Sequence, residues 1–214
     1  MANEHLDDYE QAEAVKKWLR ENGGAIVMGV AIGLGGLYGW QYFQSYQVEQ
    51  KYEAAAGYAA LVANLEQDQP APGALDEFRN AYGSDSYAAL AGLQLAQDAV
   101  EAGDLDQAIE ILRRTTEFAE PEPMRNIAGL RLARVQLAAG RHAEALASID
   151  RWGTGKFEAL GAEIRGDVLY AQGDRAGARE AYQFALNNLE AGGDRNLLQM
   201  KIDDLTAAAE GDAT

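Results

Sequence analysis

The residues that could carry chemistry are few and far apart. Two histidines occur, His5 and His142. Neither has a second histidine nearby, so neither has the company that a metal site or an imidazole acid/base usually needs. Both read as solvated side chains. Ser84, Ser86 and Ser148 lack the strand–turn–helix context of a nucleophile elbow. Two carboxylate pairs stand out, Asp203-Asp204 and Glu120-Pro121-Glu122. Adjacent residues on a helix point apart, so the first is a poor acid/base pair. The second belongs to a loop between helices. The absence of cysteine removes disulfides, thiol nucleophiles and thiolate metal sites together. With no convergent catalytic set, the chain is expected to bind proteins rather than to catalyse, with no cofactor and no metal.

Charge narrows the partners. The formal net charge is −16. Up to Phe43, Glu4, Asp7, Asp8, Glu10, Glu13 and Glu21 stand against Lys16, Lys17 and Arg20, and the remainder of the chain carries −13. A surface this acidic repels phosphates, which argues against nucleic acid as a partner. It keeps a domain soluble and would favour a basic partner.

The elements that must position any binding surface begin with an uncharged stretch between Glu21 and Glu49. Gly24 to Phe43 spans 20 residues, about the length a helix needs to cross ~30 Å of hydrocarbon. Its glycines argue against a helix in water, but in lipid the backbone has no competing partner. Tyr38, Trp40, Tyr42, Phe43 and Tyr46 gather at one end like an interfacial aromatic belt. Lys16, Lys17 and Arg20 precede the span and only Lys51 follows closely, which predicts a cytoplasmic N-terminus. Bulky residues where a small-x-small cleavage site would stand favour an uncleaved anchor over a signal peptide. The predicted division is a cytoplasmic segment over 1–22, a transmembrane helix over 23–43 and an exported domain over 44–214. Gly29 with Gly33, and Gly35 with Gly39, have the spacing that lets another helix approach closely, whether a second copy or a partner.

The exported part carries a repeat. Gly103, Gly140 and Gly173 are spaced by 37 and 33 residues. Five residues after each stands an alanine (Ala108, Ala145, Ala178), and four further on a large apolar side chain (Leu112, Ile149, Tyr182). Seven residues before each is a small residue (Ala96, Ala133, Gly166). This is the pattern of a helix-turn-helix unit of about 34 residues, in which glycine ends the first helix and alanine lets the second pack close. Asp104 and Asp174 are placed to cap the next helix, with Arg141 between them. Apolar stripes at i, i+3, i+4 run through Leu90–Ala96, Ile127–Val135 and Leu160–Leu169. With no runs of alternating β-branched residues, the expected fold is all-α: one transmembrane helix followed by a tetratricopeptide-like solenoid.

The flanks are read as follows. Residues 47–65 continue the membrane helix, Pro70-Ala71-Pro72-Gly73 breaks it, and Leu75–Tyr82 forms a short helix before a turn at 82–85. Arg195–Ala209 closes the array with Leu197, Leu198, Ile202 and Leu205 inward, and the chain frays from Glu210. Trp152, Phe157 and Tyr182 read as core. Tyr52, Tyr58, Tyr82 and Tyr87 form a tyrosine-rich stretch, the candidate partner surface. Tyr9, Ala12, Val15 and Leu19 share one side of an amphipathic segment expected at the headgroup level, with Trp18 as anchor.

With anchor and repeats placed, the string from Glu10 to Gly23 (EQAEAVKKWLRENG), the Gly-rich span ending Gly39-Trp40-Gln41-Tyr42, and Tyr46-Gln47-Val48 closely resemble the YfgM family. The likeness covers the whole architecture and residues 9–60 in detail. It implies a Gram-negative inner-membrane protein with a periplasmic tetratricopeptide domain, an ancillary subunit of the SecYEG translocon. It also implies a membrane-anchored periplasmic chaperone of the prolyl-isomerase class as partner. The expected function is that of a non-enzymatic adaptor or chaperone-like subunit of the Sec translocon. The alternative is a scaffold subunit of an outer-membrane or cell-wall assembly.

Overall fold

The structure is a computed structural model. It describes residues 2–65, 73–83, 86–189 and 193–211, with side chains described from Glu13 (Ala14 excepted) to Leu205 within those ranges. The fold is all-α, with no strand among the described residues. The break expected at 70–72, Ser84, and the side chains of Tyr9 and Ala12 lie outside the described residues. The chain divides into two compact units, residues 1–52 and 53–214.

The first unit lies within helix α1 (Ala2–Leu65). The expected headgroup-level segment runs into the apolar stretch without a break in the helix. Ile26, Val27, Val30, Ile32, Leu34, Leu37 and Trp40 are all exposed, and α1 is long and apolar enough to cross a membrane. A continuous uncovered apolar surface of this kind is poorly tolerated in water, and hydrocarbon covers it without loss. No side chain approaches the positions where Gly29, Gly33, Gly35 or Gly39 would carry a Cβ.

The second unit contains the end of α1 and the remaining helices. They are α2 (Ala74–Tyr82), α3 (Ser86–Glu101), α4 (Leu105–Phe118), α5 (Glu122–Ala138), α6 (His142–Trp152), α7 (Glu158–Ala171), α8 (Arg175–Asn187) and α9 (Arg195–Gly211). Helices α3/α4, α5/α6 and α7/α8 form three hairpins, and the first helices also stack on one another, α3 on α5 and α5 on α7.

Each hairpin turns by one device. Gly103, Gly140 and Gly173 have φ of 80°, 72° and 83°, a left-handed conformation that only glycine adopts without strain. The N–H of each glycine donates to the carbonyl three residues earlier, and the next residue's N–H donates to the carbonyl five residues earlier. Those longer bonds are Asp104 to Ala99 at 2.8 Å, Arg141 to Gln136 at 2.8 Å and Asp174 to Leu169 at 2.9 Å. This is the Schellman motif three times over. The next helix starts at once. Oδ1 of Asp104 accepts from the Gln107 N–H, and Oδ1 of Asp174 from the Gly177 N–H, each at 2.9 Å. Arg141, in the middle turn, makes no side-chain cap and instead pairs with Asp106 in the preceding hairpin.

The cores show why the hairpins come as an array. One cluster joins Leu93, Ala96, Ile109 and Leu112 to Ala128 and Leu132 of the next hairpin. A second joins Leu130, Ala133, Ala145 and Ile149 to Ile164 and Val168. The third joins Ala178, Tyr182, Ala185 and Leu186 to Leu198, Ile202 and Leu205 of α9. Each hairpin therefore leaves an apolar face that only the following helix covers. Leu197 does not share in this. It was expected inward but is 36% exposed, because it lies about 100° around the helix from the buried 198–202–205 stripe.

Within a hairpin, size is exchanged between facing positions. A methyl group on Gly129 would lie 2.1 Å from the Trp152 ring, and one on Gly92 would lie 2.1 Å from Thr115 Oγ1. These glycines stand eleven residues before their turn glycines. In the third hairpin that position is Ala162, which packs against the cluster that includes Ala185 of α8. There the notch moves to Gly166, whose methyl would lie 2.3 Å from the Tyr182 ring. Tyr182 is larger than its counterparts Leu112 and Ile149, and the facing Ala96 and Ala133 become glycine.

Gly129→Ala therefore drives a methyl into the base of the half-buried Trp152 indole. The expected loss is about 1–3 kcal/mol, read as a lower Tm in thermal unfolding. Combined with Trp152→Leu, it should cost less than the sum of the two single changes.

Candidate protein-binding surface

The stacked first helices α3, α5 and α7 present one face of the repeat unit. Val100 and Tyr170 stand at the same repeat position, three residues before the turn glycine, and both are exposed. Arg131 and Arg134 are exposed on α5. A cleft of about 270 Å³ opens here, lined on the α3 side by Leu93, Gln97 and Val100 and on the α5 side by Arg131, Arg134 and Val135.

The end of this face is sealed by a charged group on α9. Lys201 Nζ donates to Asp167 Oδ1 at 2.7 Å and to Glu163 Oε1 at 3.0 Å, both on α7. Tyr182 Oη donates to the same Asp167 oxygen at 2.8 Å, and Lys201 Nζ lies 5.3 Å from the Tyr182 ring centroid. Burial works against the lysine's charge. The two carboxylates more than offset it and hold the ammonium above the ordinary lysine range. Burial, then the bond to Asp167, pushes the Tyr182 hydroxyl well above the ordinary tyrosine range.

The tyrosine-rich stretch divides. Tyr58 and Tyr87 are half-buried, with ring centroids 6.3 Å apart, and they pack with Leu61 and Phe118 against Phe78, Ala88 and Ala91. Tyr82 packs on Phe78 at 4.8 Å, its ring over Gly57, where a methyl would lie 2.3 Å from it. These three tyrosines thus fasten the tail of α1 and helix α2 to the first hairpin. Tyr52 belongs to the other unit and is 73% exposed. Arg79 adds its guanidinium 4.1 Å from the Phe118 ring centroid.

The scattered polar candidates are also placed. Ser148 is buried and its Oγ donates to Gln136 Oε1 at 2.7 Å, so this hydroxyl joins α5 to α6. Gln136 stands where tetratricopeptide units often carry an aromatic, and the pairing was not visible in the sequence because the partners lie on different helices. Ser86 Oγ donates to the Glu120 carbonyl at 3.2 Å. His142 opens α6, half-buried. Asp203 accepts from Gln199 at 2.9 Å. Trp152 and Phe157 are partly buried against the second core cluster, and Tyr182 is in the third. Among the described residues no group of three or more His, Asp or Glu is arranged to hold a metal ion. Lys16, Lys17 and Arg20 are exposed on α1. The repeat positions Ala108, Ala145 and Ala178 are all fully buried, while Ala96 and Ala133 are buried beneath the α3–α5–α7 face.

Three stacked hairpins with buried small residues at their crossings and a polar closing helix define a tetratricopeptide-like repeat protein. A family model described as a tetratricopeptide repeat-like domain matches residues 16–207. A solved Podospora anserina chain of nearly identical TPR-like repeats superposes with a TM-score of 0.51 at 15% identity. It covers 76% of this chain and 86% of its own, a likeness of fold alone. Curated relatives named ancillary SecYEG translocon subunit are 32% identical in Escherichia coli K12, over 94% of this chain and 97% of the relative. The relative of that name in Haemophilus influenzae is 31% identical, over 84% and 89%. The chain belongs to the YfgM family of tetratricopeptide repeat-like proteins.

Removing Lys201 leaves two carboxylates facing each other beside Tyr182. Lys201→Met should cost about 1–3 kcal/mol, between the values for surface and buried ion pairs. The sign with pH follows from the direction of the shifts. Groups whose pKa is raised on folding stabilise fully below their unfolded pKa and lose that stabilisation as pH rises through the folded one. The Tm gap between wild type and Lys201→Met should therefore hold at pH 7–9 and shrink once pH exceeds the ordinary lysine value of ~10.5.

Proposed function

We propose that this chain is a non-enzymatic, single-pass adaptor of the Sec translocon. In this reading residues 1–22 are cytoplasmic, 23–43 cross the inner membrane, and 44–214 form a periplasmic repeat domain that binds proteins in a chaperone-like way. The observation that carries it is the alignment with the ancillary subunits, which runs from the apolar helix to the closing helix over 94% of the chain. The uncovered apolar α1 supports the anchor. Lys16, Lys17 and Arg20 support the orientation, since positive charge is retained on the cytoplasmic side. The glycine pairs 29/33 and 35/39 are proposed as the surface that packs against translocon helices, or against a second copy. A membrane-anchored prolyl-isomerase-type chaperone is proposed as the periplasmic partner, on the family resemblance. Tethering would supply affinity by raising local concentration beside the exit of the channel.

The topology is testable because the native chain has no cysteine. A cysteine at Glu117 should react with a membrane-impermeant maleimide in spheroplasts, and one at Glu13 only after lysis; the reverse pattern would invert the orientation. Photo-crosslinkers at Leu34 and Leu37 should give adducts with translocon subunits. Adducts only with outer-membrane or cell-wall assembly proteins would move the function to an envelope scaffold. Adducts only with a second copy would leave the translocon reading without support.

A further inference from the structure

The cleft between α3 and α5 combines features that a purely structural surface would avoid. Its floor is aliphatic, from Leu93, Val100 and Val135, and Val100 remains 39% exposed. Its rim carries Arg131 and Arg134, two like charges at i, i+3 on one helix, an arrangement that disfavours the helix.

Neither arginine is firmly engaged. No carboxylate lies within 4.0 Å of Arg131 among the described residues. The nearest carboxylate oxygen to Arg134 is Glu163 Oε1 at 3.9 Å, and that oxygen already accepts from Lys201 at 3.0 Å. The nearby Glu101 accepts from Gln97 at 2.9 Å. Four other arginines of the domain are paired closely. Arg113 bonds Glu110 and Glu117, Arg114 bonds Asp76, Arg141 bonds Asp106 and Arg165 bonds Asp150. Carboxylates are in large excess beyond Phe43, yet among the described residues Arg131 has none within 4.0 Å and Arg134 has only the shared Glu163 oxygen at 3.9 Å, the two side by side over an apolar floor.

We propose that this cleft docks an extended segment of a partner protein that presents aliphatic side chains beside a carboxylate. The volume of about 270 Å³ is below the ~300–1,000 Å³ of whole-ligand pockets and suits side chains from a passing strand of polypeptide. The backbone around it is helical and already hydrogen-bonded, so recognition rests on side chains: aliphatic groups on the floor, and a carboxylate held by the arginine fork. The preference for an acidic segment runs against the net charge of the chain, which is what makes it diagnostic. The proposal rests on the protein-binding reading above and names the class of segment bound.

The test uses the full chain in nanodiscs and fluorescence anisotropy of two labelled ten-residue peptides, one of alternating leucine and aspartate, the other of alternating leucine and lysine. The acidic peptide should bind the wild type. The double variant Arg131→Glu/Arg134→Glu should bind it about tenfold more weakly or worse, the loss expected when charge-assisted hydrogen bonds go. The same variant should gain affinity for the basic peptide, a result that a merely misfolded variant could not produce. Failure of the wild type to bind the acidic peptide, or equal binding by the double variant, overturns the proposal. So does a dimer that the double variant abolishes, since the cleft would then be taken by a second copy. Crosslinks from Leu34 and Leu37 do not involve the cleft. If they persist while the peptide result fails, only the cleft assignment falls; if they vanish while the peptide binds, the translocon reading falls.

Discussion

A two-helix hairpin of this length cannot bury its own apolar surface, and the rest of the repeat unit follows from that constraint. Each of three core clusters takes residues from one hairpin and from the helix that follows. The array must therefore be closed at both ends. Helix α9 closes one end with Leu198, Ile202 and Leu205. The other end is closed by α2 and the tail of α1, through Tyr58, Leu61, Phe78 and Phe118. The tyrosines that stand out in the sequence are for the most part engaged in this closure.

Helices can share a core so thin only if they approach closely, which requires small residues wherever a large side chain crosses. The hairpins solve this in two ways. The first two place glycine against Thr115 and Trp152, and the third shifts the glycine to face Tyr182 and fills the vacated position with Ala162. In each case a glycine stands opposite the side chain that fills the crossing. The buried Ser148–Gln136 bond and the Lys201–Asp167–Tyr182 group add polar ties, each with its donors and acceptors matched.

The two units expose surfaces of different character. In the first, apolar side chains face outward all round the helix and glycines lie open along it. In the second, apolar side chains are turned in and the surface is strongly acidic, with Arg113, Arg114, Arg141 and Arg165 tied to carboxylates. Such pairing offsets part of the self-repulsion of the acidic surface.

Local features were legible in the sequence because they depend on spacing alone. The uncharged apolar span is set by composition over 20 residues. The turn glycines are set by the left-handed backbone that each hairpin needs, and the helices by the period of their apolar stripes. What faces what across the hairpins was not legible. Gly92 and Gly129 share an offset from their turns that could have marked them, but Thr115 and Trp152, 23 residues further on, become their partners only once two helices cross at a given angle. Lys201 lies 34 and 38 residues from its carboxylates, Ser148 lies twelve from Gln136, and Leu197 turned outward where a one-residue difference in register decided its exposure. The sequence by itself determined the elements and their order, since hydrogen bonding along a helix and the cost of exposed apolar stripes are local. Only the tertiary structure decided the packing partners, the closure of the ends and the loosely paired arginines of the α3–α5 cleft, because these depend on the rotation and crossing of helices far apart in the chain.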